Sequence, residues 1–248
     1  MAIPRLVCVA GADGTGKTTA IATLTTTLVN ALRQPSFSTM LFEKQHGCLP
    51  TLAEIGAAGV LQVAEPTYSP PTGTAIRDDA LKAGWAGDVR EEARRFAEDR
   101  ARLYGELVIP FLEAGPGWVI QSRGLICSLA FQAPRWPGAQ DLDEGIAAVL
   151  ALPGNQRELA YAPEHLFIID LDPLTASFRL KRRAEAEDGG VPLDRFEQDL
   201  ALQTQVREAY LDPRIQAPFR ERGTRIHILD GKAGPQAVIN QIKAAMDG

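Results

Sequence analysis

The chain has 248 residues, 45% of them apolar, with 26 basic and 31 acidic side chains and a formal net charge of −5. That composition is ordinary for a soluble globular protein and excludes a disordered or fibrous chain, while the acidic balance argues against stable nucleic-acid binding, which needs a basic footprint. Cys8, Cys48 and Cys127 form no C-x-x-C pair and the three histidines have no metal-ligand spacing, so reduced thiols and no zinc site are expected.

Short apolar runs alternate with segments of helical period, the pattern of an α/β domain with a parallel sheet. The first predicted strand is Arg5–Ala10, followed by a glycine-rich turn. A helix is predicted over Lys17–Arg33, where Ala20, Ile21, Leu24, Leu28, Ala31 and Leu32 form one apolar stripe. Residues 34–59 read poorly, broken by Pro35, Gly47, Pro50, Gly56 and Gly59, with a short helix at Leu52–Ala58. The second strand is Val60–Glu65, and Thr67–Gly73 is a loop because two prolines and a glycine stop regular structure. Helices follow at Gly73–Ala83 and Asp88–Ala114, the latter with Gly105 and Pro110 as candidate bends. The third strand is Trp118–Ser122, with helices at Leu125–Ala133 and Asp143–Leu150. The fourth strand, His165–Leu171, precedes helices at Pro173–Glu187 and Leu193–Tyr210, separated by Gly189-Gly190. The last strand is Arg225–Leu229 and the last helix Pro235–Met246. The expectation is one domain with a five-stranded parallel sheet. The apolar runs are too short to span a bilayer, and Met-Ala-Ile-Pro-Arg does not resemble a signal peptide, so the expected setting is cytoplasmic and away from membranes.

The segment Gly11-Ala12-Asp13-Gly14-Thr15-Gly16-Lys17-Thr18 fits G-x-x-x-x-G-K-[ST] and lies between a predicted strand and a predicted helix. In a P-loop the glycines let backbone N–H groups wrap a phosphate, and the helix N-terminus adds partial positive charge. Lys17 would reach the β- and γ-phosphates of ATP, and Thr18 would hold Mg²⁺. The bland alternative is a glycine-rich turn without a ligand. The guanine-reading N-K-x-D pattern is absent and no second large domain is available for a motor, which leaves a small-molecule kinase as the best match in size.

Beyond the cradle, the order of motifs resembles the thymidylate kinase family. The P-loop with Thr19 and an acidic Asp13 is similar to that family's. So are Glu65-Pro66-Thr67 with Gly73 and Ile76-Arg77, and Phe96-Ala97-Glu98-Asp99-Arg100. Ser122-Arg123-Gly124 takes the place of its Asp-Arg-Tyr/His turn, Ala130-Phe131-Gln132 that of Ala-Tyr-Gln, and Asp194-Arg195-Phe196-Glu197 that of its Asp-Arg-x-Glu. The resemblance implies a P-loop NTPase fold with a helical lid, a homodimer, and transfer from ATP-Mg to dTMP, giving dTDP. It places Arg123 and Arg77 on the acceptor nucleotide, Phe96 stacked on its pyrimidine, Arg100 on its base and Asp13 on its 3′-hydroxyl. Phe131 falls near the sugar. A core role for Phe96 and a solvated role for Arg100 are the alternatives. The lid, about residues 179–197, carries Arg179-Leu180-Lys181-Arg182-Arg183. Most of these charges read as a solvated face with pairs such as Arg183–Glu187. One or two of them, Arg179 or Arg183, are candidates to stabilise the transferring phosphoryl group, because Gly14 stands where some family members carry an arginine.

Three departures qualify the resemblance. Ser122 replaces an aspartate that helps organise Mg²⁺, and a neutral hydroxyl is a weaker ligand for a hard cation, so either Glu65 or Asp13 takes over, or metal binding is looser, or the acceptor is unusual. Gly124 replaces a ring, and Phe131 lacks a tyrosine hydroxyl. They leave open a modified pyrimidine, another deoxynucleotide or a nucleoside as acceptor, or a nucleotide-binding protein that transfers nothing. The 34–59 segment is longer than the family places there.

Overall fold

The computed structural model describes residues 5–186 and 193–247. Six parallel strands form one sheet in the order β2-β3-β4-β1-β5-β6. The strands are β1 (Leu6–Ala10), β2 (Ser36–Ser38), β3 (Val60–Ala64), β4 (Trp118–Ser122), β5 (His165–Asp170) and β6 (Arg225–Asp230). All five predicted strands are present, and the count is corrected from five to six. The addition, β2, is a three-residue edge strand that pairs Ser36 with Val60 and Ser38 with Gln62. Three residues are too few to show alternation, which is why the sequence pattern does not reveal it.

Strand β1 lies near the middle of the sheet, with Leu6, Val7, Val9 and Ala10 fully buried, because helices cover both faces. Val7 and Val9 face a core shared with α1 (Lys17–Leu32) and α14 (Pro235–Asp247), while Leu6, Cys8 and Ala10 face the larger core on the opposite side.

The 34–59 segment holds β2, α2 (Thr39–His46) and α3 (Leu52–Ile55), the last closed by a Thr51–Glu54 capping box. After β3 come α4 (Thr72–Ala75), a π-turn at Ile76–Ala80, and α5 (Val89–Leu103), whose N-cap Asp88 accepts from the Glu91 N–H. The helix read as Asp88–Ala114 changes to π geometry at Tyr104–Val108, around Gly105, before α6 (Ile109–Ala114). Then follow α7 (Leu125–Gln132), α8 (Leu142–Leu150) and α9 (Pro153–Ala160). The lid helix α10 (Pro173–Ala186) leads towards α11 (Arg195–Gln198). The helix read as Leu193–Tyr210 is divided at Asp199, whose side chain caps α12 (Leu200–Leu211). Helix α13 (Pro213–Arg220) precedes β6. Glu187 through Pro192 of the expected lid lie outside the described residues.

Strand order fixes where a ligand can sit. From β1 the chain turns towards β2, whereas from β4 it crosses β1 to reach β5. A crevice opens at such a reversal, beyond the carboxyl ends of the strands. The P-loop, Glu65 and the Ser122-Arg123-Gly124 turn follow β1, β3 and β4 at those ends.

Candidate active site

One cavity of about 970 Å³ occupies this crevice, and the P-loop forms one end of it. Gly11, Gly14 and Gly16 have φ of 139°, 77° and 102°, values in the left-handed range that glycine adopts without strain. The Lys17 ammonium donates to the carbonyls of Gly11 (3.1 Å) and Ala12 (2.7 Å) and stands 3.5 Å from the Asp13 carboxylate. Burial lowers the Lys17 pKa to about 8, and the nearby Arg123 charge adds to that shift. Thr15 is buried and donates to the Ala12 carbonyl, while Thr18 and Thr19 are exposed, and Thr18 lines the cavity.

Arg123 adopts φ 75° at the end of β4. Its N–H donates to the Val9 carbonyl at 2.9 Å, tying the turn to β1. Its guanidinium pairs with Asp13. Burial alone would raise the Asp13 pKa, but Arg123 and then Lys17 outweigh it and hold the carboxyl below its ordinary range. Asp13, Lys17 and Arg123 therefore form one charged group, as the sequence reading brings them together. Gln203 of α12 adds a fourth member by accepting from the Asp13 N–H at 3.3 Å.

Arg77 also lines the cavity. It donates to the carbonyls of Pro66 and Thr67 and lies 3.4 Å from the centre of the Tyr68 ring, which holds it in place. Helix α2 supports the same loop. Glu43, 2% exposed, accepts from the Tyr68 N–H at 2.6 Å, and Met40 joins the cavity wall.

Phe96 is half-buried, outside both core clusters and on the cavity wall, so the core alternative does not hold. Phe131 lines the same region and packs edge-to-face on Phe196 at 5.3 Å.

Arg100 corrects the solvated alternative: its side chain is 1% exposed, lines the cavity and is held by protein groups. Its guanidinium lies 2.6 Å from Glu65 and 2.6 Å from Glu158, donates to Asn155, and donates to Ser128 at 3.2 Å. Glu158 also accepts from the Leu125 N–H, at 2.9 Å, and Gln121 bridges Glu65, Glu158 and Tyr104. Burial pushes the Glu65 carboxyl up to about 8 even against the Arg100 charge, and Glu158 adds to the rise. Glu65 lines the cavity with its carboxyl buried, raised in pKa and engaged by Arg100 and Gln121. Gly124 touches the same cluster. A Cβ there would lie 2.6 Å from Glu158 Oε1, so the turn has no room for the ring the family resemblance led us to expect.

Gln132, 2% exposed, lines the cavity, and its Oε1 has no hydrogen-bond partner among the described residues. An unpaired buried amide oxygen is costly in a native fold and marks a place for a ligand group. Its signal was present in Ala130-Phe131-Gln132, but pattern alone does not show which of those side chains is unpaired.

The lid arginines both reach the cavity. Arg179 donates to the Gly231 carbonyl at 3.3 Å, and Arg183 pairs with Glu197 at 3.1 Å. A Cβ on Gly14 would come within 2.5 Å of the Ala176 carbonyl of α10, so the lid helix fills the space an arginine at that position needs. Arg195 is not in that group. It donates to the Ala80 carbonyl, pairs with Glu92 at 2.6 Å and stacks on Trp85, fastening α11 to the acceptor side.

The donor set suits a magnesium ion held chiefly by nucleotide phosphates. Thr18 and Ser122 are neutral oxygen donors on the cavity wall, and no cluster of three or more His, Cys, Asp or Glu side chains able to hold a metal occurs among the described residues. No helix among the described residues is long and apolar enough to cross a membrane.

No family model matches the chain. It is similar to the probable thymidylate kinase of Thermococcus kodakarensis, with 30% identity over 76% of this chain and 82% of that protein. It is 32% identical to the thymidylate kinase of Bifidobacterium longum strain NCC 2705, over 67% of this chain and 72% of that protein. The crystal structure of thymidylate kinase from Ehrlichia chaffeensis superposes with a TM-score of 0.56 at 16% identity, covering 99% of each chain, a likeness of fold. With relatives at this identity and coverage, and the motifs gathered on one cavity, the chain belongs to the thymidylate kinase family.

Proposed function

We propose that this protein transfers the γ-phosphoryl group of ATP to dTMP, giving ADP and dTDP. One observation carries the reading. A single cavity runs from the Lys17 cradle, past Arg123 and Arg77, to Phe96 and Gln132, so a donor phosphate and an acceptor nucleotide can meet within it.

The P-loop N–H groups and Lys17 would hold the β- and γ-phosphates of ATP. Arg123 and Arg77 would orient the acceptor phosphate, with Asp13 fixing Arg123 and the Tyr68 loop fixing Arg77. The acceptor's pyrimidine would lie on Phe96 with its edge towards Gln132 and Ser128, and Asp13 would accept from the 3′-hydroxyl. Phosphoryl transfer leaves little covalent work for the protein, so positioning and positive charge supply most of the rate. Arg179 and Arg183 would add that charge from the lid. Thr18, with Ser122 on the same cavity wall, would contribute to holding magnesium, which when bound would offset the negative charge of the phosphates.

The proposal extends to one domain over residues 1–248, to the homodimer implied by the family, and to a cytoplasmic setting, in keeping with three free thiols. Light scattering on the purified protein tests the dimer, against a chain mass of 26.8 kDa. A coupled assay for ADP with ATP, Mg²⁺ and dTMP tests the reaction. Turnover that needs all three is expected, and none under these conditions would overturn it.

A further inference from the structure

We infer that helix α2 is part of the acceptor site, with Tyr68 and Glu43 acting as positioning residues that set Arg77 for the acceptor's phosphate. This rests on the function proposed above, which puts that phosphate at Arg77, and gives a role to the 34–59 segment that the family motifs leave unexplained.

The loop after β3 has few means of holding its own shape. It runs Thr67-Tyr68-Ser69-Pro70-Pro71, outside the sheet, and its two prolines have no N–H to give. The N–H groups of Thr67 and Tyr68 find acceptors on two helices instead. Asp99 of α5 accepts from the Thr67 N–H at 2.7 Å and from its hydroxyl at 2.6 Å, and Glu43 of α2 accepts from the Tyr68 N–H at 2.6 Å. Both acids are buried. Helix α2 is fixed in turn, because it starts one residue after β2, and β2 pairs with β3. One anchor would let the loop pivot about Thr67, whereas anchors on two consecutive residues fix its course.

Arg77 takes its position from that loop. Its Nε and Nη2 donate to the Thr67 and Pro66 carbonyls, and its guanidinium carbon lies 3.4 Å from the centre of the Tyr68 ring. The carbonyls fix the guanidinium in its plane, and the ring fixes it from the face. No described residue accepts from Nη1, so that nitrogen stays available to a phosphate oxygen. Arg77, Tyr68 and Met40 of α2 all line the cavity. Lys44 stands 4.7 Å from the centre of the Tyr68 ring, so α2 holds Tyr68 by its ring as well as by its N–H. Burial disfavours the Arg77 charge, and the Asp99 and Glu43 carboxyl groups act against that loss. A guanidinium held in place before the ligand arrives gives up less freedom on binding.

Binding of dTMP and of thymidine, which lacks the phosphate, should be measured by calorimetry in the parent and in Tyr68→Leu, Glu43→Ala and Glu43→Gln. Tyr68→Leu removes the ring and keeps the N–H that Glu43 holds, so it should weaken dTMP about tenfold and thymidine less than about twofold. Glu43→Ala should show the same selective loss. Glu43→Gln keeps an acceptor oxygen and should return dTMP binding to within about threefold of the parent. Should Glu43→Ala fail to fold, the half-buried Tyr68 and the conservative Glu43→Gln carry the test. Equal weakening of both ligands is what a merely structural role gives, and it overturns the inference. Parent-like dTMP binding by Tyr68→Leu overturns it too. A parent that phosphorylates dTMP yet binds it no tighter than thymidine overturns the inference and leaves the proposed function standing. The selective pattern without any phosphoryl transfer by the parent overturns the proposed function alone.

Discussion

The two ends of the cavity hold similar charges in different states. At the cradle, Lys17 rests on backbone carbonyls and beside Asp13, Asp13 serves both Lys17 and Arg123, and Thr18 is exposed. At the floor beneath the acceptor, Arg100 has two carboxyl groups, an amide and a hydroxyl, and Glu158 is further fixed by a backbone N–H. The first set is positioned at moderate strength and can exchange its partners for phosphate. The second is held by more protein partners, although Arg100 still lines the cavity. Residue type does not separate a ligand-binding arginine from a structural one, whereas the list of partners does.

The largest expected effect is on turnover at the cradle. Lys17→Ala should lower kcat about 10³-fold or more and leave the melting temperature within roughly 2 °C, because no buried partner is stranded. Near-parental turnover would break the distinction between the two ends. At the floor the signature reverses. Arg100→Ala should cost about 3–5 kcal/mol in urea unfolding, since it leaves buried carboxyl groups unpaired. If the fold were unaffected and only acceptor KM rose, Arg100 would belong with the ligand-binding set. Phe96→Ala lies between the two, with acceptor KM rising about tenfold and stability little changed, the size expected from losing one base–aromatic stack. The smallest effect is in pH. Lys17 binds phosphate as a cation, and its pKa is lowered to about 8. Raising the pH from 7 to 8.5 should therefore remove most of its proton and lower kcat/KM for ATP roughly three- to fourfold, if titration follows that value. A flat profile over that range would mean that Lys17 of the free enzyme keeps its proton above pH 8.5.

Much of this was legible in the sequence where the signal was local. The cradle is eight consecutive residues between an apolar strand and a helical stripe, and the five longer strands are apolar runs bounded by turn residues. The elements that escaped depend on distant partners. Helix α9, Pro153–Ala160, has little apolar periodicity of its own and is held where Gly154 packs on the backbone of α5 at Ala97. Its Glu158 meets Arg100 across 58 residues, a pairing that no spacing rule encodes. The position of Arg100 in Phe-x-x-x-Arg gives its helix face, but the two acids that pair with it lie on other elements and leave no mark in that spacing. Helix α2 is a similar case, because Glu43 finds its partner only when the Tyr68 loop folds beside it.

The meeting of Gly14 with the Ala176 carbonyl bears on how such a chain could change over time. Placing a cation on the loop and packing the lid helix tightly against that loop are mutually exclusive uses of one small volume. A lineage with the lid packed this way cannot place an arginine at position 14 by a single replacement, because the first step collides with backbone. The helix would have to retreat beforehand, and that retreat would carry Arg179 and Arg183 away from the cavity. The route between the two designs passes through a form with neither arginine in place, so the history of the lid and that of the loop are bound together.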